Sequence, residues 1–302
     1  MTASFIHEGS PLMASWRYRA FIPSRELGLA MNDYCANTLV FAKPQSFEIE
    51  RARVAHAGRQ KIVVDFCDPH FDQPHYMEFA LLADAITCPT QAMADEIERR
   101  TLGDWVLPKP IVIADPFEYP EEEPHCNGTN LLWYGHGVNM DSLIRVMRQL
   151  DDYPLMIVSN TPWSLPWSHE TMLDQFALAD IVVIPATAAH KSPNRAVEAI
   201  RQGCFVVAEP HPGLNDIPGI WIGNLKEGIE WASHNAQEAN RLTLQAQDWV
   251  ARKYSPQTLA SAWKNVLDRM KSRSTSEVGS FDGPAGSMSM GSTLERRFSA
   301  TY

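Results

Sequence analysis

The chain has 302 residues, 45% of them hydrophobic, which is long for one ordinary domain and apolar enough for two cores. Lys and Arg total 26 against 36 for Asp and Glu, a formal charge of -10, so the surface as a whole does not attract polyanions, although a local basic pocket stays open. Five cysteines, Cys35, Cys67, Cys88, Cys126 and Cys204, form no CxxC pair, which argues against a zinc ribbon or a small disulfide scaffold and fits a reducing cytoplasm.

The opening MTASFIHEGSPLMASWRYR lacks a basic start followed by a long apolar run. No segment approaches the roughly 18 apolar residues of a membrane span, so the expectation is a cytoplasmic protein with no stable membrane insertion. Short apolar runs then alternate with amphipathic stretches, the pattern of an α/β protein. Ala3–Ile6 reads as a strand, and Ser15–Leu29 as a helix carrying Arg17 and Arg19. Strands at Thr38–Phe41, Ile62–Phe66, Ala85–Cys88 and Ile111–Ile113 follow, with helices at Pro74–Leu82 and Thr90–Arg100. The stretch PFEYPEEEPHCNGT combines prolines, an acidic run and Asn-Gly, and so reads as a linker over residues 117–129 between domains 1–116 and 130–255. Its Asn127-Gly128-Thr129 sequon is of a kind common by chance.

The second half repeats the alternation. Strands are expected at Leu131–Tyr134, Leu155–Val158, Ile181–Ile184, Phe205–Ala208 and Gly219–Ile222, and helices at Met140–Leu150, His169–Ala177, Pro193–Gln202 and Leu225–Ser233. Ser192-Pro193 is a helix start signal and Gly203 a stop. Several of the strands are wholly apolar, which suits a parallel sheet covered on both faces. Two more helices, Ala236–Lys253 and Pro256–Lys271, precede a Ser-, Gly- and Met-rich tail, 272–302, whose composition predicts disorder. Near its end Leu294, Phe298 and Tyr302 recur at helical spacing, with Arg296 and Arg297 between them, which suits a short docking motif or a frayed end.

The segment ADIVVIPATAAHKSPNRAVEAIRQGCFVVAEPHPG reads as buried strand, loop, helix and buried strand, with Lys191, Ser192, Asn194 and Arg195 where the loop becomes the helix. The carboxyl edge of a parallel sheet is where ligands bind, and a helix start offers unpaired N–H groups and a positive dipole end. Two added cations suit a phosphate or diphosphate. The alternative is a solvated Lys191, a local cap at Asn194 and a surface acid on Arg195. Gly135-His136-Gly137 follows another strand and could bring backbone N–H groups to an anion, or be a plain turn. Trp163 and Trp167 follow the next strand, where an aromatic could stack on a base or simply fill a loop. In DFCDPHFD, the residues Asp65, Asp68, His70 and Asp72 could serve acid–base chemistry or hold a divalent ion.

The stretch ALADIVVIPATAAHKSPNRAVEAIRQGCFVVA resembles the donor-binding segment of GT-B glycosyltransferases of the family-4-like set (glycosyl transferases group 1), with Glu198, Ala199, Ile200, Gly203 and Val206-Val207-Ala208 matching. SWRYRAFIPSREL, VVDFCDPHF, LLADAITCPTQAMADEI, VIADPFEYP, LLWYGHGVNMDSL and YSPQTLASAWKNVLDRM are similar to other parts of that fold, over roughly residues 1–271. The resemblance implies two Rossmann-like domains facing a central cleft and a last helix, 256–271, that crosses back to the first domain. It implies transfer of a sugar from a nucleotide-sugar donor to an acceptor hydroxyl with retention, without an essential metal or a separate cofactor. Glu198 would hold the ribose, Lys191 and Arg195 the diphosphate, and Asn194 the phosphates or the loop, with Ser192 and His190 beside them. His190 stands where the family has its first glutamate, which alters the donor-sugar contact. Gly9 and Ser10 match the family's first glycine loop; His70 would act on the acceptor or donor sugar, and Asp68 would orient it or act as base.

Acceptors consistent with this reading are a soluble glycan, a protein or a modified nucleic-acid base; the sequence leaves oligomeric state open. A non-catalytic nucleotide-sugar-binding protein on the same scaffold is the alternative. A Rossmann oxidoreductase is disfavoured because no GxGxxG follows the first strand.

Overall fold

The computed structural model of the chain describes residues 2–100 and 107–276, so most of the predicted disordered tail, with Leu294, Phe298 and Tyr302, lies outside the described residues. Two six-stranded, wholly parallel sheets organise it. The first holds β1 (Ala3–Ile6), β2 (Ala30–Met31), β3 (Thr38–Ala42), β4 (Lys61–Asp65), β5 (Ala85–Cys88) and β6 (Ile111–Val112) in the order β2-β1-β3-β4-β5-β6. The second holds β7 (Leu131–Tyr134), β8 (Leu155–Ser159), β9 (Leu165–Pro166), β10 (Ile181–Ile184), β11 (Phe205–Ala208) and β12 (Trp221–Ile222) in the order β12-β11-β10-β7-β8-β9. This is the doubly wound arrangement that wholly apolar strands demand, because both sheet faces must be covered by helices.

In chain order the helices are α1 (Ile22–Leu27), α2 (Ile49–Ala57), α3 (Pro74–Leu82), α4 (Gln91–Arg100), α5 (Met140–Leu150), α6 (His169–Leu178), α7 (Asn194–Arg201), α8 (Leu225–His234), α9 (Ala236–Tyr254) and α10 (Pro256–Ser276). The helix expected over Ser15–Leu29 is instead a π-helical turn, Trp16–Phe21, running into α1, which stops at the left-handed Gly28. Helix α2 escapes the sequence pattern because only Ala52 and Ala55 face inward while Val54 lies in solvent, so it has no apolar stripe. Helix α7 begins at Asn194, with Pro193 just outside it and Ser192 making no side-chain cap. At its other end Gly203 has φ +77°, and a Cβ there would strike the Glu123 carbonyl, so glycine is required twice over.

The stretch 117–129 is not a loose tether. Phe117 N–H donates to the Tyr254 carbonyl at 3.1 Å, Glu122 N–H to Arg201 at 2.9 Å and His125 N–H to Gly203 at 3.2 Å, so the segment is fastened along the ends of α7 and α9. Helix α10 then returns to the first sheet. Its Leu259, Trp263, Val266, Leu267 and Met270 share a core with Phe5, Val40 and Val63. It continues to Ser276, past the expected end at Lys271, because a helix anchored by such a face extends at little cost.

Trp263 is fully buried, meets Phe5 edge to face at 5.1 Å and lies 5.5 Å from the Arg19 guanidinium. Trp263→Ala should therefore cost about 3–5 kcal/mol in urea unfolding. A cost below 1 kcal/mol would mean that α10 does not anchor the first sheet.

Candidate functional site

Each sheet reverses its strand order once: β1 lies between β2 and β3, and β7 between β8 and β10. In open parallel sheets the ligand crevice lies outside the carboxyl ends of the strands at that reversal. The loops that leave β1, β3, β7 and β10 carry His7–Ser10, Lys43, Gly135–Gly137 and Thr187–Asn194. Contacts between the sheets' edges show that they face each other: Lys191 Nζ lies 2.8 Å from Asp68 Oδ1, and the Thr90 hydroxyl donates to the His190 carbonyl at 3.0 Å.

Arg195 is the least compensated charge in this crevice. Its Nη1 reaches only the Tyr134 carbonyl, at 3.4 Å, its guanidinium lies 5.9 Å from the Trp133 ring, and no carboxylate among the described residues pairs with it. Burial accordingly pulls its pKa below the usual arginine value. Arg195, Ser192, Thr187 and His211 line a small pocket of about 20 Å³ under the β10 loop, room for a water rather than a diphosphate. The Ser192 hydroxyl is buried there and stabilises the Asp115 carboxylate. His211 Nδ1 accepts from Gly213 N–H at 3.1 Å, so Nε2 carries the proton and donates to the Ala188 carbonyl at 3.0 Å, fixing the loop.

Lys191 is one of two lysines on a single carboxylate. Lys43, which the sequence reading missed, lies 2.9 Å from Asp68 Oδ2. It sits at the carboxyl end of β3 in a left-handed backbone, φ 52°, which costs a non-glycine residue about 1–2 kcal/mol. The two ammonium groups hold Asp68, burial notwithstanding, well below the usual carboxylate range. While both lysines hold it, Asp68 is a weak proton acceptor. His70 is exposed to 46%, and its Nε2 is 4.0 Å from Asp68, too far for a hydrogen bond to orient it. Asp65 has left the cluster altogether: it is buried against Arg19, and no group of three ligands suited to a metal forms among the described residues.

Three further expectations change. Glu198 of α7, expected at a ribose, is only 1% exposed and is engaged with the linker. It accepts from the backbone N–H of Glu118 at 2.8 Å and of Tyr119 at 3.2 Å, and the Tyr18 hydroxyl, 3.1 Å away, lies between it and Glu118. The glycine amides expected to meet an anion are occupied: Gly135 N–H donates to Val158 at 3.1 Å and Gly137 N–H to Asn160 Oδ1 at 2.7 Å. His136 serves the same loop, its Nδ1 accepting from Val138 N–H at 3.3 Å. In the first lobe, Gly9 N–H donates to His7 Nδ1 at 3.0 Å, and Ser10 Oγ accepts from Leu12 N–H at 3.2 Å, so this turn is also built on itself. His7 is buried, and burial with Lys43 nearby lowers its pKa to about 4, leaving it neutral near pH 7. Asn194 opens α7, and His190, half-buried, has its pKa lowered by burial and by Lys191.

Arg17 does reach across. Its Nε meets Glu118 at 2.7 Å, its Nη1 donates to the Leu12 carbonyl at 2.8 Å, and it stacks 4.3 Å from the Trp167 ring, which gives that tryptophan its use. Trp163 is exposed and fills no core.

No protein-family model matches the chain, and no curated protein sequence does. Its fold is that of solved GT-B glycosyltransferases. The structure of Anabaena HepE in complex with UDP and glucose is 12% identical and matches 89% of this chain and 100% of its own, with a TM-score of 0.70. An alpha-glucosyltransferase in complex with UDP-glucose and DNA containing an abasic site is 10% identical over 89% and 91% of the two chains, TM-score 0.59. The DNA-modifying beta-glucosyltransferase is 12% identical over 89% and 100%, TM-score 0.57. The chain thus has the two-lobed GT-B architecture. No helix among the described residues is long and apolar enough to cross a membrane.

Burial and the neighbouring Glu118 push the Glu198 carboxyl up from 4.5 to about 8, against the pull of its donors. Protonated in the fold but ionised when unfolded between those values, it should make stability fall as pH rises from 4.5 to about 8. In urea unfolding across that range wild type should lose stability relative to Glu198→Gln as pH rises, whatever His7 and the other titrating groups add to both; a constant difference would refute the shift.

Proposed function

We propose that the chain is a glycosyltransferase that moves a sugar from a nucleotide-sugar donor, a UDP-sugar first among them, to an acceptor hydroxyl with retention. The observation that carries this reading is Arg195, a half-buried guanidinium without a carboxylate, beside Lys191 at the strand-order reversal of the second sheet. Such a pair suits a diphosphate and stabilises the charge that grows as it leaves. The fold agrees, since neighbours of this architecture carry UDP or UDP-glucose.

In the reaction the acceptor oxygen bonds to the sugar C1 while the bond from C1 to the phosphate oxygen breaks. The bonding pair leaves with the diphosphate, and the acceptor proton passes to a phosphate oxygen on the same face. This course needs no protein base. His70, exposed at the same edge, is left to position the acceptor or the donor sugar. The donor is a substrate, so the reading requires no separate cofactor or metal. A formal charge of -10 counts against a polyanionic acceptor and favours a soluble glycan or protein.

A second reading, a nucleotide-sugar-binding protein without turnover, is favoured by His190 in place of an acid and by Glu198 being engaged with the linker. Turnover separates the two.

Thermal-shift measurements with UDP-, GDP-, ADP-, dTDP- and CMP-sugars should give stabilisation by one nucleotide class, with affinity reduced about tenfold or more in Lys191→Ala and in Arg195→Ala. No shift with any of them would remove the reading, and a shift without turnover would favour the binding protein. Where turnover is found, NMR of the first-formed product should give the donor's own anomer; the opposite anomer would exclude retention and call for a base.

A further inference from the structure

We infer that Asp68 is an internal stand-in for the donor's diphosphate: it occupies Lys43 and Lys191, and a nucleoside diphosphate replaces it there, which makes Lys43 a second diphosphate-binding residue. This rests on the reading of Lys191 as a diphosphate ligand.

The geometry is that of one anion clamped between two lobes. Lys43 leaves β3 at the reversal point of the first sheet, Lys191 leaves β10 at that of the second, and the two oxygens of one carboxylate take one lysine each, at 2.9 and 2.8 Å. A carboxylate and a phosphate offer the same paired oxygens to an ammonium, but the diphosphate brings more charge. Two lysines on one carboxylate leave a net positive charge. A ligand with two or more negative charges therefore gains more from the cluster than Asp68 does, and both anions cannot occupy it without repulsion.

The exchange does not require the loop to move away. The β10 loop is held by two neutral contacts that the ligand leaves intact, Thr90 to the His190 carbonyl at 3.0 Å and His211 to the Ala188 carbonyl at 3.0 Å. The left-handed backbone at Lys43 is the kind of local strain that collects at ligand clamps. Displaced from the lysines, Asp68 stays beside the reacting centre as a free acceptor for sugar hydroxyls.

The test is isothermal titration of the full chain with UDP. Asp68→Asn removes the competitor and should tighten binding by about three- to fivefold, the range of a partly exposed ion pair. Lys43→Ala should weaken it about as much as Lys191→Ala does. The gain from Asp68→Asn should vanish when Lys191→Ala is also present. Asp68→Ala gives a second reading of the same contrast should the Asn variant fold poorly. If Lys191→Ala weakens UDP binding but Asp68→Asn and Asp68→Ala weaken it too or leave it unchanged, or if Lys43→Ala has no effect, the stand-in role is wrong while the donor site survives. If wild type binds neither UDP nor GDP, ADP or dTDP, or Lys191→Ala does not alter the affinity for the one that binds, the diphosphate reading fails and this inference with it.

Discussion

The Arg19 guanidinium is the point at which the fold is tied together. It is buried to 1% exposure, pairs with Asp65 through Nε at 2.8 Å and with Asp115 at 3.1 Å, and donates as well to the Ala114 carbonyl at 3.1 Å. Asp65 ends β4, Asp115 lies where the chain leaves the first lobe, and Trp263 of α10, where the chain returns, packs on the same guanidinium. Thr87 of β5 completes the shell with a hydroxyl that donates to Asp65 at 2.6 Å. Three segments far apart in sequence thus converge on one charge. Removing Arg19 would leave the Asp65 and Asp115 carboxylates buried without their counter-ion, a loss of about 3–5 kcal/mol.

That tie sets what the cleft can be. With the departing chain fixed at Asp115, the linker begins beside the turn Trp16–Phe21, and Arg17, two residues before Arg19, meets Glu118 and Trp167. Arg17 and Arg19 therefore divide their work by depth: the inner arginine holds the first lobe to its exit, and the outer one holds that exit to the second lobe. Glu198 completes the joint from the other side by accepting the linker's N–H groups. A buried acid beside another acid is a costly way to hold a peptide segment. It is tolerable because two backbone donors and Tyr18 converge on it.

Much of the fold was legible because apolar runs of strand length are hard to hide. All ten expected strands form, and the two that escaped, β2 and β9, are two residues long and largely exposed, too short for an apolar run to announce them. Helix α2 escaped for want of an inward stripe. The site was less legible, because a residue type at a sheet edge does not say which way it turns. Lys191 and Arg195 sit where their spacing put them, but Asp65, three residues from Asp68, turns inward to Arg19. Glu198 carries the motif's letter without its expected exposure. Lys43 gave one signal that could have been used: a lone lysine immediately after an apolar strand run, TLVFAK, at the edge where ligands bind.

The charges at the cleft explain how an acidic protein can hold an anion there. Most of its exposed ion pairs are local, such as Arg99 with Glu96 and Arg241 with Glu238, and these cancel within a helical turn. The cleft cations are not cancelled in this way. Lys43 and Lys191 must share one acid, and Arg195 has none among the described residues, so the positive potential is concentrated between low-dielectric walls although the whole chain is negative. A surface that repels anions in general and a crevice where cations gather would together favour a compact, highly charged group over an extended polyanion. The diphosphate of the proposed donor, lying between nucleoside and sugar, is such a group.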